Sequence, residues 1–163
     1  MRVLHERMDE VEQYNRSNII EIQGVPRQPA EDVLGLVKIL GRALDYEITD
    51  GMIDNCHRMG GGKSEGAAII VKFVRKLDKE ALLQRRRSRR EFSARHLGFP
   101  GDGPVYLNES FCPRKRRLFA LVRQMKAELG YKYLWVRGSQ IYVRKHDQSP
   151  ALVLKTLEDL KNL

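Results

Sequence analysis

Cys56–Val74, CHRMGGGKSEGAAIIVKFV, admits two opposed readings, and the choice between them decides the fold. Three glycines followed by Lys63 and Ser64 look like a phosphate-gripping loop. Such a loop needs a further glycine where His57 stands. It also needs a helix immediately after it, with its N-terminus facing the phosphates. The chain continues instead into Ala67–Val74, AAIIVKFV, whose β-branched and aromatic residues read as a strand. A glycine-rich segment between two strands is a long hairpin loop. The stretch is therefore expected to be mobile, not to bind ATP, and to carry Lys63 and the neighbouring Arg58 onto a phosphate backbone.

Working outward from that hairpin, the preceding strand lies near Met52–Arg58, and Asn18–Val25 (NIIEIQGV) is an earlier one. Between them, Glu31 and Asp32 open a helix with Val33, Val37, Leu40 and Leu44 on one face. After the hairpin, RKLDKEALLQRRRSRREF reads as a helix ending in an arginine run. Glycines at 98–103 break the chain, and PVYLNES (104–110) reads as a fourth strand. The order β-α-β-β-α-β predicts a ferredoxin-like RNA-recognition domain over residues 17–110.

A small basic α+β domain is expected over 111–163. Pro113 opens a helix carrying Leu118, Val122, Met125 and Leu129, and KYLWVRGSQIYVRK alternates by two around Gly138-Ser139, a hairpin signal. ALVLK reads as a third strand, and Thr156-x-x-Asp159 as a capping box before a short helix. At the other end, Met1, Leu4, Met8 and Val11 fall at a/d spacing. They predict the end of a coiled coil over 1–16, through which chains oligomerise, the alternative being a stripe that packs on the domain. The fold class is thus α+β.

The 163 residues carry a formal charge of +9, unevenly spread. Residues 1–74 hold nine Lys/Arg and twelve Asp/Glu, net −3, whereas residues 75–163 hold twenty-one and nine, net +12. Such segregation points to a polyanion-binding half. Cys56 and Cys112 fit no zinc spacing, and with four scattered histidines neither a metal nor a cofactor is expected. No run approaches a membrane span and no signal-peptide pattern opens the chain. No triad or other catalytic spacing emerges, so the expected protein is not an enzyme.

Between Arg85 and Arg95 stand six arginines (Arg85, Arg86, Arg87, Arg89, Arg90, Arg95) against one acid, Glu91. Arg114, Lys115, Arg116 and Arg117 form a second cluster at a helix start, where acids are normally preferred. Both clusters are read as phosphate contacts. Glu21, Gln23 and Lys72 should point outward from the first sheet, which lacks the stacking aromatics usual in RNA-recognition domains. A two-residue turn at Gly138-Ser139 sets Leu134 and Val136 against Val143 and Ile141 on one face. The other face then holds Tyr133, Trp135, Arg137, Tyr142 and Arg144, the aromatic–arginine mixture used by single-strand binders. The alternative is that this face packs under the adjoining helix.

Taken in order, NRSNIIEIQGVP, AAIIVKFV and GPVYLNES resemble the first-open-reading-frame protein of LINE-type non-LTR retrotransposons. The tail YKYLWVRGSQIYVRK is similar to the C-terminal domain of the baculovirus few-polyhedra (FP) protein. The resemblance implies a homotrimer on a coiled coil, a noncanonical RNA-recognition domain and a basic C-terminal domain. Together these bind single-stranded RNA, and also single-stranded DNA, as a nucleic-acid chaperone in a cytoplasmic ribonucleoprotein, with the nucleus a second compartment. On this resemblance the basic position before the long loop is Arg58 and the basic third-strand position is Lys72. The Trp-x-Arg…Tyr-x-Arg pattern is Trp135, Arg137, Tyr142 and Arg144. The chain departs from the family in its short coiled coil and its lack of a zinc knuckle. The competing expectation is an FP-like viral or domesticated structural protein acting through protein partners.

Overall fold

The computed structural model describes residues 1–60 and 67–163. The glycine-rich loop, Lys63 included, lies outside the described residues. The fold is α+β, with five α-helices and two antiparallel sheets among the described residues. The chain divides into two compact units, Asn18–Ser110 and Met1–Ser17 with Phe111–Leu163. Among the described residues no helix is long and apolar enough to cross a membrane, and no group of three or more His, Cys, Asp or Glu could hold a metal ion.

In the Asn18–Ser110 unit the elements are β1 (Ile19–Gln23), α2 (Val33–Ala43), β2 (Ile53–Arg58), β3 (Ile69–Phe73), α3 (Lys76–Ser88) and β4 (Tyr106–Glu109). The strand order is β2-β3-β1-β4, every pair antiparallel. Alternation sends Ile20, Ile22, Ile69, Val71, Phe73 and Leu107 into a core with Val37 and Leu40 of α2 and Leu82 and Leu83 of α3. Asp32 caps α2 by accepting from Gly35 N–H at 3.0 Å. Lys79 of α3 is fully buried and pairs with Glu109 of β4 at 2.8 Å, an ion pair inside the core.

Gly24 leaves β1 with a φ of +94°, and a Cβ there would lie 2.0 Å from the carbonyl oxygen of Pro104. Gly24→Ala is therefore expected to cost more than about 1 kcal/mol, read as a lowered urea midpoint. An unchanged midpoint would contradict this close approach.

The other unit joins α1 (Arg2–Asn15) to α4 (Pro113–Met125), β5 (Tyr133–Arg137), β6 (Gln140–Arg144), β7 (Leu152–Leu154) and α5 (Leu157–Lys161). Its sheet has the order β5-β6-β7. Leu118 and Val122 of α4 pack on Ile141, Val143 and Leu154. The turn residues Gly138 and Ser139 both have positive φ, 56° and 62°, as a type I′ hairpin requires. Thr156 and Asp159 form the reciprocal capping box of α5, at 3.3 and 3.0 Å.

Polar residues attach α1 to this unit. Gln13 accepts from Cys112 N–H at 2.9 Å, Asp9 meets Arg114 at 2.7 Å, and Arg2 meets Glu158 at 2.9 Å. The a/d residues Met1, Leu4, Met8 and Val11 remain exposed.

Candidate nucleic-acid interface

The hairpin register follows the expectation throughout. Tyr133 faces Arg144, Leu134 faces Val143, Trp135 faces Tyr142, and Val136 faces Ile141. The Leu134/Val136 face joins the apolar cluster under α4, whereas Tyr133, Trp135 and Tyr142 stand outside it, half-buried. They cover one another. Trp135 and Tyr142 stack with centroids 5.4 Å apart and planes within 10°. The Arg144 guanidinium sits over Tyr133 at 4.7 Å and over Trp135 at 5.9 Å. Its Nε is buried with no hydrogen-bond partner among the described residues, and its guanidinium rests on the two rings. Arg137 is exposed at the strand end. Lys132 and the Tyr133 hydroxyl both reach Asp147. The Tyr133 hydrogen bond, then Lys132, hold the Asp147 carboxyl below its ordinary range, so it stays anionic. The side chains of this sheet face can therefore stack a flat ring and offer cations to a phosphate.

The arginine run divides. Arg85, Arg87 and Arg90 are exposed at the end of α3, with Arg87 donating to Gln84. Arg86 and Arg89 are half-buried and bonded to the main chain. Arg86 donates to the Val105 and Arg89 carbonyls at 3.0 and 2.9 Å, Arg89 donates to the Ala43 carbonyl, and both guanidinium groups lie over Phe92. Arg95 is exposed and meets Asp102 at 3.3 Å.

One expectation needs correction. Arg58 is no surface cation, for its side chain is 5% exposed. All five of its N–H groups are committed: two to the Glu31 carboxylate at 2.8 Å each, and three to the Val25, Pro26 and Ala67 carbonyls. Hydrogen bonding from Arg58 outweighs burial and holds the Glu31 carboxyl below its ordinary range. The cations at the start of α4 also have in-chain anions nearby. Arg114 pairs with Asp9, and Glu6 and Glu10 of α1 line the same cleft as Arg114 and Lys115. Lys115 is bonded to the Ser139 carbonyl, Arg116 donates to the Phe111 carbonyl at 3.4 Å, and Arg117 is exposed.

On the first sheet Glu21, Gln23 and Lys72 belong to the side away from the core, and Lys72 meets Asp54 at 3.6 Å. That side also carries Tyr106, 50% exposed beside Gln23, and exposed His57 beside Ile70. Sequence reading passed over both. The alternation of Tyr106-Leu107-Asn108-Glu109 about the inward Leu107 was the signal available for Tyr106.

No curated protein matches the chain. Residues 112–163, from the N-cap of α4 to the end of α5, match the family described as Baculovirus FP protein domain 2, so the relation to FP proteins holds over the segment that bears the aromatic hairpin.

Proposed function

We propose that the chain binds single-stranded RNA, and single-stranded DNA by the same contacts, as a nucleic-acid chaperone of a retrotransposon ribonucleoprotein. The observation that carries this reading is the Tyr133–Trp135–Tyr142 face with Arg144 laid over it. Such a face stacks bases of any identity while its arginines hold the backbone. Exposed Arg85, Arg87, Arg90, Arg117 and Arg137 add phosphate contacts, and a second sheet offers Lys72. The strand order β2-β3-β1-β4 with βαββαβ connectivity supports a ferredoxin-like RNA-recognition domain. The exposed Leu4, Met8 and Val11 stripe supports a coiled-coil homotrimer with further copies. No catalytic role is assigned, and the working location is a cytoplasmic ribonucleoprotein with access to the nucleus.

Salt dependence tests this. Arg85→Ala/Arg87→Ala/Arg90→Ala should weaken all single strands alike and lower the log–log salt slope by up to about 2, roughly 0.7 per lost contact. Arg86 and Arg89 are left in place because their bonds hold the fold. An unchanged slope would remove these arginines from the interface. The second reading is an FP-like structural protein acting through protein partners, which the family match at 112–163 favours. It predicts weak binding that is insensitive to salt.

A further inference from the structure

A cleft of about 390 Å³ opens at the free edge of the Asn18–Ser110 sheet, at the low end of the range for small-ligand sites. Arg86 and Arg90 at the end of α3, Arg95 and His96 of the 3-10 turn Ala94–Leu97, and Tyr106 of edge strand β4 line it. Three features there point to a ligand. First, Arg86 is half-buried, yet its partners are two main-chain carbonyls and aromatic rings, with no carboxylate within ion-pair reach among the described residues. Burial disfavours its charge, holding the guanidinium pKa below the ordinary value, and the bonds at Nε and Nη1 leave Nη2 available. A partly desolvated, unneutralised cation is the kind of group an incoming anion stabilises. Second, the Tyr106 ring is half exposed, with the Arg86 guanidinium 5.9 Å from its centroid, so a cation and a flat apolar surface are held side by side. Third, His96 Nδ1 accepts from Ser93 N–H at 3.1 Å, which places the neutral ring's proton on Nε2 as a donor. Its ring is braced by stacking on buried Phe92 at 5.7 Å.

We propose that this cleft is a single-nucleotide subsite. A phosphate sits on Arg86 and Arg90, with Arg95 released from its exposed pair with Asp102, and the attached base stacks on Tyr106. The inference rests on the single-strand function proposed for the chain and adds to it a second set of residues that grips a nucleotide. Glu91 and Asp102 also line the cleft, and they disfavour a bare dianion. The base contact therefore adds to the occupancy that phosphate alone reaches.

The test is an amide NMR titration of the full chain with AMP, adenosine and inorganic phosphate as separate probes. AMP at millimolar concentration should shift the amides of residues 90–97 and 106–108, while adenosine and phosphate alone each shift them less. Tyr106→Ala should abolish the adenosine response and weaken AMP by at least about fivefold, the lower bound for one stacked base. Arg90→Gln/Arg95→Gln should abolish the phosphate response and retain adenosine. Neither variant alters the core or the main-chain bonds of Arg86, although Tyr106→Ala removes one of the two rings beside its guanidinium. If AMP moves no cleft amide, or moves them equally in Tyr106→Ala, the subsite is overturned. A parallel titration with oligouridylate separates this from the broader reading. RNA binding at the hairpin with a silent cleft sinks only the subsite, whereas AMP in the cleft of a chain that binds no RNA supports the subsite and sinks the broader function.

Discussion

Arg58→Ala is expected to destabilise the Asn18–Ser110 unit by about 3–5 kcal/mol, the usual cost of stranding one partner of a buried ion pair. Its guanidinium satisfies Glu31 and the carbonyls of Val25, Pro26 and Ala67, so truncation leaves the Glu31 carboxylate with only the 3.4 Å bond from Gln28 N–H and strips three carbonyls of this donor at once. Arg58→Lys should recover little, because an ammonium cannot reproduce the planar fork that meets Glu31 bidentately. Urea unfolding of the full chain, followed at Ile20 and Val71 by hydrogen exchange, measures the loss where it occurs. The pair also fixes a pH response. Glu31 titrates lower in the folded chain than in the unfolded one. Its contribution is complete above the ordinary glutamate range and disappears as pH falls through the depressed folded value. Arg58→Ala should therefore flatten the acid side of the stability profile. A variant with wild-type stability and weakened RNA binding would restore Arg58 to the interface.

This residue also marks where sequence reading stopped working. Arg58 ends a strand whose place in the chain was legible, as were the β-branched run at Ile69–Phe73 and the i, i+4, i+7 face of α2. Those periodicities are local, and so are the turn at Gly138-Ser139 and the box at Thr156 and Asp159. A partner such as Glu31, 27 positions away, is set by how the chain returns on itself. Periodicity carries no record of that. The same holds for α1. Its a/d stripe was visible, but the bonds of Asp9 and Gln13 to Arg114 and Cys112 cross about a hundred residues of chain. Of these, the Asp9 bond sets an in-chain acid beside the cationic start of α4. Within the arginine run, adjacent residues of identical chemistry part into exposed Arg85, Arg87 and Arg90 and half-buried Arg86 and Arg89. Only the placement of Phe92, Val105 and Ala43 makes that division.

On the proposed function the hairpin separates binding from folding, because its two faces are one residue apart. Trp135→Ala is expected to lower single-strand affinity by roughly 1–3 kcal/mol, about 5- to 150-fold, if one base stacks there. Trp135 and Tyr142 stack on one another, so removing either ring also loosens the other, and Trp135→Ala/Tyr142→Ala should lose more than either alone and less than their sum. Stability should fall by no more than about 1 kcal/mol, the worth of one cross-strand pair. On the opposite face Ile141 is fully buried against α4. Ile141→Val should cost about 0.5–1.5 kcal/mol of stability while leaving the affinity of folded molecules unchanged. Fluorescence anisotropy with a labelled oligouridylate, paired with urea unfolding of the same samples, reads both quantities. Arg144 discriminates further, since its guanidinium is held over Tyr133 and Trp135 with Nε unbonded. Arg144→Lys keeps the charge and loses the planar stack. It should preserve the salt slope yet weaken binding, whereas Arg144→Gln should lower both. The opposite pattern, with Trp135→Ala unfolding the unit and affinity per folded molecule intact, would make the aromatic face core and leave any binding to the arginines of α3.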